Sequence, residues 1–196
     1  MNRLLIGLLL IAACGGKKPV TSVVDTSTNN EPPPPIACAD GALLIGKAPP
    51  AGFSMNCSVQ NPAVPGTWAK QGPAITWSPD GTRKSLGQYD LDKKHGYWQT
   101  WYPDGQVESQ GTYSHDVQTG LWTSYHASGA KKSEGEYSAG QMEGHWSYWH
   151  TNGQLKTEGE MAAGQYQGTW LEYDETGRPR SEREYRDGRL VRQRQL

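Results

Sequence analysis

From Gly72 onward, apolar and polar positions fall into phase every 24 residues, in five copies that open on Gly72, Gly96, Gly120, Gly144 and Gly168. Two residues into the copies stand Trp98, Trp122, Trp146 and Trp170, with Ala74 in the first. Five residues in stand Trp77, Trp101, Tyr125, Trp149 and Tyr173. Glycine recurs at nine (Gly81, Gly105, Gly129, Gly153, Gly177) and serine or threonine at thirteen (Ser85, Ser109, Ser133, Thr157, Ser181). Gly87, Gly111, Gly135, Gly159 and then Arg183 hold position fifteen; Tyr89, Tyr113, Tyr137, Met161 and Tyr185 hold seventeen. Phased columns at a fixed period mark a repeat architecture.

Each copy predicts a β-hairpin, because glycine recurs too often for a helix of ten residues. A short aromatic strand (97–102) leads into the turn Pro103-Asp104-Gly105, with Ser78-Pro79-Asp80-Gly81 and Thr151-Asn152-Gly153 as equivalents. The final glycine supplies the positive φ of a type I turn with a bulge. A second strand (106–113) follows, and a loop rich in Gly, Asp, Lys or Gln leads to the next copy. Glycine at position fifteen, inside a strand, predicts a neighbouring indole lying flat across bare backbone. The expected fold is all-β, an elongated ribbon of five stacked hairpins whose ten strands span about 48 Å. Columns two and five differ in parity, yet a bulge can shift register by one, so both face assignments stay open.

Composition explains how such a ribbon is held. Leu, Ile, Val and Phe make up 28 of 196 residues and mean hydropathy is −0.76, which argues against a large α/β enzyme with an aliphatic core. Eight Trp and ten Tyr supply the missing bulk, and a net charge of −1 is not that of a disordered chain. Charge is divided: residues 72–177 carry 7 basic and 14 acidic groups, residues 178–196 seven arginines and three acids. The arginine-rich end suits either anionic lipid or glycan, or a solubilising cap. Acidic repeats on an exported chain disfavour nucleic acid.

The chain opens on Asn2-Arg3, an apolar run from Leu4 to Ile11 and the small pair Ala12-Ala13, the form of a secretory signal and too short for a membrane span. Ile11-Ala12-Ala13-Cys14 resembles the bacterial lipobox, which implies a diacylglycerol thioether on Cys14 and an acylated, palmitate-type N-terminus. Gly15 in place of Asp implies, by the same resemblance, outer-membrane sorting in a source that has one. The expected organisation is signal peptide 1–13, lipid anchor and Pro/Ser/Thr-rich tether 14–37, an irregular lead-in 38–71, repeats 72–191 and an Arg-containing tail 192–196. In an oxidising compartment the remaining pair, Cys38 and Cys57, is expected to form a disulfide worth roughly 3 kcal/mol.

Catalytic and metal chemistry find little support. Glu134/Glu136, Glu158/Glu160 and Glu182/Glu184 recur at one phase, alternating with Lys132, Lys156 and Arg180, so none is singled out as a tuned acid–base pair. His126 and His150 share a phase two strands apart, roughly 10 Å, too far to share a zinc. No cofactor or metal site and no enzymatic activity is expected.

The run Gly135-Glu136-Tyr137-Ser138-Ala139-Gly140-Gln141-Met142-Glu143-Gly144-His145-Trp146 resembles the bacterial variant of the MORN repeat, as in YwqK-like proteins that carry an antitoxin label. The resemblance covers about residues 72–191 and departs at Ala74, Pro179 and Arg183. It implies a noncatalytic scaffold for protein interaction; an antitoxin role fits poorly with export. The chain is therefore expected to be an envelope-anchored lipoprotein that meets an unknown envelope protein. The alternative is a cell-wall glycan binder, since Trp98 to Gly105 is similar to choline- and glucan-binding repeats. Trp98, Trp101, Trp122, Tyr125, Trp146, Trp149, Trp170 and Tyr173 are the candidate binding-surface aromatics.

Overall fold

The computed structural model describes residues 36–196; the signal segment, Cys14 and nearly all of the tether lie outside the described residues. Thirteen antiparallel strands follow one another in chain order in a single sheet. They are β1 (Leu43–Lys47), β2 (Ser54–Gln60), β3 (Trp68–Trp77), β4 (Arg83–Asp90), β5 (Lys93–Trp101), β6 (Val107–Ser114) and β7 (Val117–Tyr125). There follow β8 (Lys131–Ser138), β9 (Gln141–Trp149), β10 (Leu155–Ala162), β11 (Gln165–Tyr173), β12 (Pro179–Arg186) and β13 (Arg189–Gln195).

Two boundaries differ from expectation. The lead-in 38–71 is not irregular: β1, β2 and the start of β3 extend the sheet N-terminally, and the Cys38–Cys57 disulfide ties residue 38 to β2. Residues 192–196 are no tail, because β13 places Arg194 opposite Glu182 and Arg192 opposite Glu184. The sheet therefore has thirteen strands, not ten. Pro179 begins β12, which is an inner strand, at a position paired with Tyr173 where its missing N–H costs no central ladder bond.

Two kinds of turn alternate. The Pro103-Asp104-Gly105 turn has the predicted form: Tyr102 N–H donates to Gln106 O (2.8 Å), Gly105 N–H to Tyr102 O (2.9 Å), and Gly105 has φ of 88°. The expected loops between copies are tight two-residue turns. Leu91-Asp92, His115-Asp116 and Ala139-Gly140 have both residues at positive φ, the type I′ form that matches strand twist. The polar residues read as loop extend the strands instead.

In the last four copies the opening glycine makes the bulge that seats the tryptophan. Leu86 faces Gln99 and Gln88 faces His95, so Gly96, Tyr97 and Trp98 stand opposite Gly87 alone, with Gly96 at φ 71°. The extra length lets the Trp98 indole lean back over Gly87, and its Nε1–H donates to Gln88 O (3.0 Å). Trp122 lies on Gly111, Trp146 on Gly135 and Trp170 on Gly159, each with the same indole-to-carbonyl bond. Column seventeen completes a spine: Tyr89, Trp98, Tyr113, Trp122, Tyr137 and Trp146 succeed one another edge to face, at 5.0–6.2 Å. A single-layer sheet thus buries rings on its own glycines, which is why it needs few aliphatics.

Departures from the repeat compensate one another. Met161 removes a spine tyrosine, and Tyr148, standing where the first three copies carry Thr or Ser, bridges Trp146 (6.0 Å) and Trp170 (6.2 Å). Arg183 needs no glycine because no further tryptophan arrives on β13, and its guanidinium pairs with Glu172 at 2.8 Å. At the N-terminal end of the spine, Cys57 and Ala69 ahead of the first copy and Ala74 and Ile75 within it are buried.

Burial pushes the Tyr148 phenol up to about 12, with Tyr166 and Tyr137 adding to the rise. A phenol whose pKa is raised on folding contributes stability that is complete below its unfolded value of about 10 and lost above it. Stability should therefore hold up to about pH 10 and fall between 10 and 12. Melting temperature followed with phenolate absorbance checks this; Tyr148→Phe retaining the same fall would contradict the assignment to Tyr148.

Candidate interaction surface

The bulge in β5 precedes Trp98, and the register shift between Thr100 and Trp101 puts its extra residue, Glu108, on β6. Strand β5 therefore alternates without interruption from Trp98 to Trp101, and columns two and five point to opposite faces. The eight candidate binding-surface aromatics therefore form two rows. Trp98, Trp122, Trp146 and Trp170 share the spine face; Trp101, Tyr125, Trp149 and Tyr173 share the other. Trp98, Trp101, Trp146 and Trp170 are buried, and their rings are packing of the sheet.

On the spine face, a hydroxyl row runs beside the rings. Thr76 pairs with Ser85 (2.6 Å), Thr100 with Ser109 (2.8 Å) and Ser124 with Ser133 (2.6 Å). A cover residue, not visible as a column because its chemistry changes, sits opposite the spine tyrosine across each tight turn. Lys94 faces Tyr89 and lies over the Trp98 and Tyr113 rings at 4.8 and 4.9 Å. Met142 faces Tyr137 and packs on the Trp146 cluster; Tyr166 packs edge-on against Trp170 at 4.7 Å. In the third copy the cover is Gln118, opposite Tyr113. Here Trp122 is only half-buried, and a cavity of about 230 Å³ opens between Trp122 and Trp146, lined also by Gln118, Ser124, Ser133 and Tyr137.

The opposite face carries polar and charged groups beside its own aromatic row. His126 Nε2 lies 3.0 Å from Trp149 O and His150 Nε2 3.0 Å from Tyr173 O, the same rung that Tyr102 makes by donating to Tyr125 O. The two histidines brace successive copies. Lys131 pairs with Glu134 at 2.9 Å and lies over Trp149 at 4.9 Å. His145 sits between Glu158 (3.4 Å) and Glu160 (3.3 Å), and Glu136 stands directly opposite Glu143. Nearer the first copies, His115 bonds Asp90 at 2.9 Å and holds its carboxyl below the usual carboxylate range. Among the described residues, no three His, Cys, Asp or Glu side chains are grouped so as to hold a metal ion.

Comparison with curated proteins returned no match. MORN repeats are a noncatalytic scaffold, often used for protein interaction or membrane association. Residues 94–115, 118–139, 142–162 and 166–187 each match the MORN repeat variant, every match starting at a cover residue, so this stretch is similar to a run of four MORN-variant repeats.

Proposed function

We propose that the protein is a noncatalytic envelope lipoprotein, anchored through Cys14, that presents its repeat sheet to another protein of the envelope. The observation that carries the reading is the carboxylate field on the face opposite the spine. Glu134, Glu136, Glu143, Glu158 and Glu160 lie on three neighbouring strands, with Lys131 and His145 as their basic neighbours. Like charges directly across a ladder, as at Glu136 and Glu143, weaken the sheet. A basic protein surface would relieve that repulsion and gain from it, chiefly in rate and orientation of docking.

The test is crosslinking of the full lipidated chain in its own envelope, beside a Glu136→Lys/Glu160→Lys variant. One protein should be enriched by the parent chain and lost from the variant, and the enrichment should weaken with salt. Equal recovery by the parent chain, the variant and an acylated tether alone would end the scaffold reading. Cys14→Ser is expected to move the protein from the membrane to the soluble fraction, which tests the anchor separately.

A further inference from the structure

We propose that the third repeat carries a binding site for one uncharged pyranose ring, built on the open face of Trp122. The proposal is independent of any protein partner, because it uses the opposite side of the sheet from the carboxylate field.

The site arises from one departure in an otherwise repeated design. Each spine indole uses one face to cover a strand glycine; Trp122 does so on Gly111. At Trp98 and Trp170 the indole is further covered, by Lys94 and by Tyr166, and Met142 packs at Trp146. Gln118 offers neither a cation nor a ring, so Trp122 stays half-buried with the cavity in front of it. Tyr148, stacked on Trp146 at 29° between planes, fills the corresponding space in the next copy, which confines the opening to this one.

The size and chemistry of the opening select the ligand. At about 230 Å³ it lies under the roughly 300 Å³ where pockets for drug-sized molecules begin, room for a single ring. No charged side chain lines it, so neither an anion nor a cation is favoured. Its polar groups have capacity to spare. The Gln118 amide makes no hydrogen bond to any described residue. Ser124 and Ser133 share one bond, which consumes one of their two O–H donors and leaves the other, with free lone pairs, at the cavity wall.

An apolar side chain entering from a protein partner would strip water from these groups and leave them unpaired, an unfavourable exchange. A pyranose meets both demands. Its axial C–H face lies on the electron-rich indole, and its ring hydroxyls pair with the amide and the serines.

The full chain is titrated with cellotetraose and with chitotetraose, observing indole N–H resonances. Saturable shifts of the Trp122 signal with one of these sugars, at millimolar affinity fitting a single shallow subsite, are expected. Gln118→Lys restores the cover found over Trp98 and should fold at least as well, while weakening binding by about tenfold or more. Lys94→Gln removes that cover and should create a second site at Trp98, raising the stoichiometry from one to two. Absence of binding by the parent chain to either sugar, or equal binding by Gln118→Lys, overturns the proposal. So does a response of Trp122 to N-acetyltryptophanamide with none to the sugars, which would mark a pocket for a protein side chain.

Discussion

Gly135→Ala is expected to lower stability by about 3 kcal/mol, among the largest losses that any single methyl group can cause in this sheet. The backbone at Gly135 is ordinary strand, so the cost is not one of φ. A Cβ there would stand 2.2 Å from Trp146 Cδ2 and 2.3 Å from Cε2, inside the ring rather than beside it. The indole would have to lift, breaking its bond to Glu136 O and parting from Tyr137 and Tyr148. Trp146 is 3% exposed in the cluster with Met161 and Trp170, so lifting it opens that buried cluster. Denaturant titration of the two chains measures the loss. The mechanism is tested by a cycle with Trp146→Ala, itself expected to cost about 3–5 kcal/mol. With the ring gone, the added methyl group should cost little, giving a coupling of about 2–3 kcal/mol. Simple additivity would show that the glycine is needed for some reason other than the indole.

That glycine–indole packing was legible beforehand because it depends on two columns, and repetition makes each visible. The type I turn with a bulge was legible for the same reason, the glycine at position nine being required by its φ. Face assignment was not, since it turns on where the bulges fall: three residues from Gly96 to Trp98 oppose one glycine, and sequence spacing does not reveal that count. The lead-in hid its strands because β1 and β2 do not share the 24-residue period and are flanked by proline. Residues 192–196, which complete β13, read as an Arg-containing tail, although the alternation of Arg192 and Arg194 matches that of Glu184 and Glu182 across the ladder. That signal was available.

The cover residues leave no mark in the repeat pattern. Lys94, Gln118, Met142 and Tyr166 share a place and no chemistry, so no column betrays them. Lysine over an indole, methionine beside one and a tyrosine edge against one are interchangeable ways to shield a ring. Glutamine is not, and the opening at Trp122 becomes meaningful only once the other three positions are seen to be occupied.

Reduction of Cys38–Cys57 is expected to remove about 3 kcal/mol from the N-terminal end of the sheet, and from that end alone. The two cysteines are 19 residues apart, and the loop they close contains β1 and its turn into β2. The strand β1 pairs with β2 on one side only, and all five of its residues are exposed, so little side-chain burial holds it if the crosslink is lost. In a linear array each unit leans on its neighbours, and loss of an end need not travel. Far from that end, the Trp98-to-Trp170 spine should keep its melting temperature under reductant, while amide protons of Leu43–Lys47 exchange faster. Substitutions should separate by site. Cys38→Ala removes the crosslink alone, whereas Cys57→Ser also puts a hydroxyl where no surface is exposed, adding about 1–3 kcal/mol if the hydroxyl finds no partner. A single cooperative transition that shifts as a whole on reduction would mean that the first strands and the spine fold as one unit, and would refute the local account.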